Sequence, residues 1–439
     1  MVKPITDIRK QITVNRFLLT GFCLLLIAYC LLPAVLSAQD GGTPGALLNY
    51  GMTPRTLAMG KTFTGLADDQ EAIYFNPAGL VQLMSHNVKS AYLSLLGTNL
   101  GYLGYALPTK RFGSIGLGLI YHGTPEIDSY NSAGDPFGTF KFNENAFLFS
   151  YAHQPAPWIG LGTTIKVLST RIAQYGALGM GGDLGALILP RRNLTFGVVI
   201  QNILGPKLTY IDQTDEVPLT FRVGTALKLY KGRAVLALDV SKNIIESSSV
   251  EPHFGIEFIP VFPLLTLRGG IDRNHVSAGV GIRYDWNKLS LGFDYAVLLH
   301  YNSSYLVPYR HKIGINITFA GFRTWVDADP KRFSPTPGRK ENIAWLDLHY
   351  NTKREIERWQ LLVKNQFGEV VRTYGGWNAP PLRLSWDGLD DVGRVVSDGL
   401  YYYEIILIDE AGDNYTYSDA LTRVATMGPE GEIEFLPQE

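Results

Sequence analysis

Between residues 86 and 319 the chain repeats one pattern, and that pattern leaves few folds open. Apolar and polar residues alternate with period two in fourteen segments, at about 86–96, 99–108, 112–122, 144–154, 158–170, 178–189, 193–203, 218–230, 233–243, 251–259, 263–272, 276–285, 288–298 and 307–319. In the last of these, Ile313, Ile315, Ile317 and Phe319 alternate with Lys312, Gly314, Asn316 and Thr318. Half-buried strands of a sandwich alternate in the same way, so the connections decide. Every second one is tiny: TKR at 109–111, PAP at 155–157, PRR at 190–192, KG at 231–232, PVF at 260–262 and WN at 286–287. Most of the others are longer, at 123–143, 171–177, 204–217, 244–250 and 299–306, while 97–98 and 273–275 are short. Short turns alternating with long loops around strands of about ten residues mark a transmembrane β-barrel.

Closure is the physical reason. An open sheet edge in lipid has no water to satisfy it, so the sheet must close on itself. The apolar set then faces lipid and the polar set faces the lumen. Alternation predicts the lumenal charges Lys166, Asp183, Arg222, Lys228, Asp239, Glu257, Arg268, Asp272, Arg283, Asp285, Asp294 and Lys312, interspersed with glycines. The expected role of these charges is hydration and ion pairing across the lumen, with a solute path along them as the lesser alternative.

Fourteen strands enclose more space than their own side chains fill. The block before the first strand, MGKTFTGLADDQEAIYFNPAGL at 59–80, is too irregular for a strand and is predicted to be a plug. Asp68 with Glu71 reads as a capping box. Asn76 reads as an N-cap with Pro77 as the first helical residue. Tyr74 and Phe75 supply apolar mass. These residues resemble the N-terminal signature of the PorV/PorQ family, relatives of the FadL family: Met59-Gly60, Asp68-Asp69, Tyr74, then Asn76-Pro77-Ala78-Gly79-Leu80. Lys61 departs from the small residue more usual there. The resemblance covers residues 45–319 and implies a fourteen-stranded outer-membrane barrel with an N-terminal helical hatch.

The ends of the chain differ from the middle. Lys3, Arg9, Lys10 and Arg16 precede the apolar run FLLTGFCLLLIAYCLL at 17–32, and small residues follow at Ser37-Ala38. The run falls short of the roughly 20 residues of a span, so 1–38 reads as a secretory signal rather than an anchor. Tyr29 before Cys30 is too bulky for a lipoprotein signal. Both cysteines, Cys23 and Cys30, lie in this segment, so no disulfide is expected in the mature chain. Residues 39–85 form the predicted hatch, 320–343 a linker with SPTPGRK, 344–427 a small β-sandwich and 428–439 a tail. The sandwich segment is similar to the immunoglobulin-like domain of the FlgD hook-capping family at Gly368, Val371-Arg372, Trp386-Asp387-Gly388, Asp391, Gly393, Gly399, Tyr401, Tyr403 and Asp409. Asp387-Gly388 reads as a tight hairpin turn, with Trp386 and Tyr401 in the core.

The fold class is thus all-β: a fourteen-stranded transmembrane barrel with an N-terminal hatch and an Ig-like sandwich. Eight scattered histidines and a net charge of -1 offer no zinc motif, no nucleophile elbow and no nucleic-acid surface. No enzyme, cofactor or metal is expected. The PorV-type resemblance implies a scaffold for type IX secretion, with outer loops 123–143 and 204–217 gripping a partner and envelope proteins meeting the sandwich. The FadL-type resemblance implies a transporter of hydrophobic small molecules. An inward face of Gly, Ser, Thr and charge, and the attached sandwich, favour the first. The setting implied is the bacterial outer membrane, with lipid around the wall and both termini periplasmic.

Overall fold

The computed structural model describes residues 45–425 apart from 50, 96–97, 111, 192, 211–212, 245–248, 262–263, 287–288, 302–308, 337–341, 411 and 413. The signal segment and the tail lie outside the described residues. One closed antiparallel barrel contains fourteen strands: His86–Leu95, Thr98–Pro108, Ser114–Gly123, Phe142–Ala156, Ile159–Ile172, Tyr175–Arg191, Leu194–Ile203, Thr220–Leu229, Ala234–Asn243, Glu251–Val261, Leu265–Ile271, His275–Trp286, Leu289–His300 and Tyr309–Phe319. The first strand closes onto the last with His86 opposite Phe319. Both chain exits from the barrel therefore lie at the short-turn end, here called the inner end.

The exterior carries the apolar half of the alternation. Leu103, Leu117, Phe147, Ile165, Phe293 and Ile315 are all exposed, each flanked by inward-facing neighbours. Trp158, Tyr230 and Trp286 stand exposed at the inner turns, where amphipathic rings suit a membrane interface, and Phe112 is exposed beside them. Such a surface is stable only against lipid. A direct consequence concerns Ile315, which is 55% exposed, and Asn316, which lines an interior cavity. Ile315→Arg is expected to cost ~2–4 kcal/mol at the lipid face and to lower the heat-modifiable folded fraction. Asn316→Arg is expected to assemble normally. Equal loss in both variants would mean the two faces are exchanged.

Residues 51–83 run inside the barrel. This segment is helical only in short pieces, Pro54–Ala58 and Ala72–Phe75, followed by the 3-10 turn Pro77–Gln82. The rest is irregular backbone, so the expected helical hatch is corrected to a mostly non-helical segment. Glycines on the wall admit it. A Cβ at Gly197 would lie 1.9 Å from the Thr64 carbonyl oxygen, at Gly270 2.1 Å from the Gly60 nitrogen, and at Gly162 2.4 Å from the Ala78 nitrogen.

The outer loops take two courses. Residues 123–143 project as a hairpin, Ile127–Tyr130 against Pro136–Phe140, with Tyr130 and Phe137 exposed. Residues 204–217 form a second hairpin, Lys207–Tyr210 against Gln213–Glu216, which instead folds over the lumen and buries Leu208 and Val217. Of the two loops expected to grip a partner, the first thus stands out from the barrel and the second packs partly against it.

Beyond Phe319 the chain forms two sheets around one core. Arg323–Asp329, Ala344–Asn351 and Arg383–Trp386 make a three-stranded sheet, and Arg332–Phe333, Ile356–Asn365, Val370–Trp377, Gly399–Asp409 and Asn414–Val424 a five-stranded one. The linker expected at 320–343 is corrected here. Arg323–Asp329 pairs with Ala344–Asn351 along its length and buries Thr324 and Val326, so alternation, not the later Pro-rich stretch, governs it. Trp386 and Tyr401 are buried with ring centroids 5.1 Å apart. Asp387 and Gly388 do not form a two-residue hairpin. Asp387 Oδ1 accepts from the Leu389 nitrogen at 3.1 Å and Gly388 has φ +73°, which opens a loop closed by the Leu389–Val395 bridge. Within it, the Arg394 and Val392 backbone N–H groups hold the Asp390 carboxyl below its usual range. Gly399 opens the strand that carries Tyr401 and Tyr403.

Candidate functional site: the filled lumen

The lumen has two halves of opposite character. The inner half is charged. Arg55 of the inner segment donates from Nε and Nη2 to both oxygens of Glu257 at 2.9 and 3.0 Å, and from Nη1 to Asp68 and Asp69 at 2.8 Å each. Arg268 bridges Glu257 at 2.7 Å and Asp294 at 2.6 Å. Lys228 reaches Asp68 at 2.8 Å. Lys89 reaches Glu71 at 2.8 Å and also pairs with Asp69. Thr53 donates to Glu71. Beside this network lies a cavity of about 270 Å³ lined by Asn87, Thr266, Arg283, Asn316 and Thr318 among others. Arg283 and Asp285 pair at 2.9 Å and stand half exposed at the inner rim.

The capping box expected from Asp68 and Glu71 does not form, because both carboxylates are taken by cations across the lumen. Asp69 does the local work instead, its Oδ1 accepting from the Glu71 nitrogen at 2.8 Å. Asn76 does cap the turn beginning at Pro77: its Oδ1 accepts from the Ala78 nitrogen at 3.2 Å. Its Nδ2 donates to the Thr64 carbonyl at 2.9 Å and to Ala186 of the wall at 3.2 Å. Met59, Tyr74 and Phe75 are buried, and Phe75 packs between the Phe63 and Tyr74 rings. Ala78 and Gly79 are buried in the same turn, and a Cβ at Gly79 would strike Ala67 at 2.2 Å. Gly60 takes φ +63° against the Ile271 backbone.

Wall side chains bond the segment's backbone as well as each other. Asp239 Oδ2 accepts from the Phe63 and Thr64 nitrogens at 2.9 and 2.7 Å. Arg222 donates to the Lys61 carbonyl at 3.0 Å and lies 3.7 Å from Asp239. Gln201 donates to the Tyr74 carbonyl and Thr195 to the Gly65 carbonyl. His253 presents Nδ1 to the Gly60 carbonyl at 2.9 Å, so that nitrogen carries the proton and Nε2 accepts from Ser241. The predicted lumenal charges thus do more than pair across water: several of them satisfy the irregular backbone that fills the lumen. Lys166 and Asp183 pair at 2.8 Å, buried in the wall beside Asn202. Asp272 sits one residue past its strand, in an outer turn, where it accepts from the Asn274 and His275 nitrogens and lies 3.6 Å from Lys61.

The outer half is apolar, and this the sequence reading missed. Leu93, Leu100, Tyr102, Ile120, Leu148 and Leu168 point inward and share one cluster with Leu47, Leu48 and Met52 of the N-terminal segment and Leu208 of the folded loop. Beside it, Leu57 packs with Ala296 and Leu298. Lys312 opens into this region. Its buried amine donates to the Gly51 carbonyl at 3.1 Å, and the void among Leu57, Leu93, Leu100 and Leu298 measures about 10 Å³. The signal lay in the outer ends of the first two strands, where SAYLSLL and NLGYLGYAL carry apolar residues at both parities. Among the described residues, no group of three or more His, Cys, Asp and Glu is placed to hold a metal.

Together these features define a closed, fourteen-stranded transmembrane β-barrel whose lumen is filled by its own N-terminal segment. No protein-family model and no curated protein matches the sequence. Solved structures similar to it include the toluene transporter TbuX of Ralstonia pickettii, at 15% identity over 62% of this chain and 98% of that one, with a TM-score of 0.47. The toluene transporter TodX of Pseudomonas putida is similar at 12% identity over 61% of this chain and 97% of that one, TM-score 0.45. A FadL homologue of Pseudomonas aeruginosa is similar at 11% identity over 61% of this chain and 98% of that one, TM-score 0.43.

Proposed function

We propose that this chain is a bacterial outer-membrane barrel that takes up hydrophobic small molecules, with residues 45–83 as its hatch. The observation that carries this reading is the apolar outer half of the lumen. A wall built only to be hydrated has no need of inward Leu93, Leu100, Ile120, Leu148 and Leu168, which now pack against Leu47, Leu48 and Met52. An apolar guest that takes the place of those three keeps the same wall surface out of water, at roughly 25 cal/mol per Å². The Leu47–Leu48–Met52 stretch now fills that space, and a void of about 10 Å³ has room for about one water. A guest therefore enters by displacing residues 46–52. Lys312 stands where a polar end of that guest would meet its amine.

A second reading, a scaffold of the PorV/PorQ type for secretion partners, is favoured by one feature: the two-sheet domain attached to the barrel, whose sequence resembles the immunoglobulin-like domain of the FlgD family. Both readings put the hatch entrance and the sandwich in the periplasm.

The test uses a reversible staple. Gly45 lies against Val217, and a Cβ at Gly45 would be 3.4 Å from Val217 Cβ, close to disulfide spacing. The chain has only Cys23 and Cys30 besides, both before residue 45. Oxidised Gly45→Cys/Val217→Cys is expected to lose most uptake of a radiolabelled monoaromatic or fatty-acid probe, and reduction to restore it. The Gly45→Cys single variant reports the strain of a side chain at φ +67°. If the oxidised pair transports as fast as the reduced one, displacement of this segment is not the route; if neither the wild type nor the reduced pair takes up the probe, the uptake reading fails.

A further inference from the structure

The sandwich does not simply hang from the last barrel strand. It grips the inner end of the segment that fills the lumen. The Lys353 ammonium, buried, donates to the Val81 carbonyl in the 3-10 turn Pro77–Gln82. The Phe322 nitrogen donates to the Met84 carbonyl at 2.7 Å, and Met84 packs against the sandwich core. Gly321, at φ +89°, makes this approach possible, since a Cβ there would lie 2.4 Å from the Met84 carbonyl oxygen. A further contact ties the sandwich to the rim, Arg354 Nη2 donating to Gln154 Oε1 at 2.6 Å.

The grip is stiff at both ends. On the sandwich side, the Lys353 nitrogen donates to the Tyr415 hydroxyl at 2.9 Å, and that hydroxyl donates to buried Asp409 at 3.0 Å. On the barrel side, Gln82 donates to the Leu66 and Ala67 carbonyls at 2.8 and 3.0 Å. Gly79 touches Ala67 so closely that no side chain fits between them. A displacement of the 351–354 loop therefore moves Val81 and Gln82, and through them residues 66–67 at mid-lumen. Packed contacts of this kind transmit shifts because they do not deform continuously.

We infer that the sandwich is a handle on the lumenal segment: a load or partner acting on it from the inner side loosens the seal at residues 77–84. This goes beyond the uptake reading and does not depend on which guest the outer half accepts.

The experiment is amide hydrogen exchange on the full chain in detergent micelles, comparing the wild type with Lys353→Met and Arg354→Gln. Loss of the buried donor leaves the Val81 carbonyl unpaired, so amides of 77–84 are expected to exchange about tenfold faster in Lys353→Met. Arg354→Gln, which removes the rim contact to Gln154, is expected to change them less. Wild-type exchange at the sandwich-core amides of 401–407 checks that the sandwich is native. Unchanged exchange at 77–84 with a native sandwich core overturns the inference, and so does acceleration spread evenly over the barrel. Should Lys353→Met fail to assemble, Gly321→Ala pushes on the Met84 carbonyl from the same side. Faster exchange at 77–84 is again expected, and unchanged exchange again overturns it.

Discussion

A chain lacking residues 45–80 is expected to assemble as a heat-modifiable barrel and to conduct far more in planar bilayers than the intact chain. Wall closure rests on strand-to-strand hydrogen bonds from His86 round to Phe319, and none of those bonds involves the deleted segment. The deletion does strip partners from Lys89, Lys228, Asp239 and Glu257. An unpaired charge costs ~3–5 kcal/mol when it stays buried. In an emptied lumen these four meet water, so the cost falls and the barrel stands, with lowered thermal stability. An assembled deletion chain with wild-type conductance would show that another part of the chain seals the lumen. Failure to assemble at all would show that the segment is a template for closure, which its many bonds to wall side chains make a serious competitor.

Much of the wall was legible in the sequence because a barrel strand obeys a strict rule. Side chains alternate, the outer set must be apolar, and inner turns must be short. Every one of the fourteen predicted segments corresponds to a barrel strand, with ends displaced by a few residues, as at 178–189 against Tyr175–Arg191. The lumen was less legible, since what fills a barrel is not periodic. Asp68 and Glu71 have helix-capping spacing, yet their carboxylates are captured by Arg55, Lys228 and Lys89, residues far away in sequence. A local rule loses wherever a buried cation needs an anion. Alternation assigns apolar groups to lipid, yet Leu93 and Leu100 point inward. They face a second apolar surface, made by Leu47, Leu48 and Met52, that alternation cannot reveal. The strand at Arg323–Asp329 was hidden by its charges, which occupy the exposed positions of an edge.

The glycines of the wall supply the sharpest test of how the segment is held. Gly197 and Gly269 are both barrel glycines in strands, but they face different neighbours. At Gly197 an added Cβ would lie 1.9 Å from the Thr64 carbonyl oxygen and 2.6 Å from its carbon, which is backbone and cannot rotate away. At Gly269 the nearest atom to an added Cβ is Ile256 Cγ2 at 3.6 Å, an ordinary contact. Gly197→Leu is therefore expected to exceed the ~1–3 kcal/mol of common overpacking, because Thr64 is also fixed by Asp239 through its nitrogen and by Asn76 through its carbonyl. The segment yields before the wall does, since Gly197 is paired in the wall on both sides, with Gly224 and with Leu187. The expected phenotype is an assembled barrel with raised conductance and new trypsin cleavage at Arg55 or Lys61. Gly269→Ala is expected to match the wild type in both assays. If Gly197→Leu keeps wild-type conductance and protease resistance, Thr64 does not sit against the wall at this point, and the seating of the segment along its whole middle third would have to be redrawn.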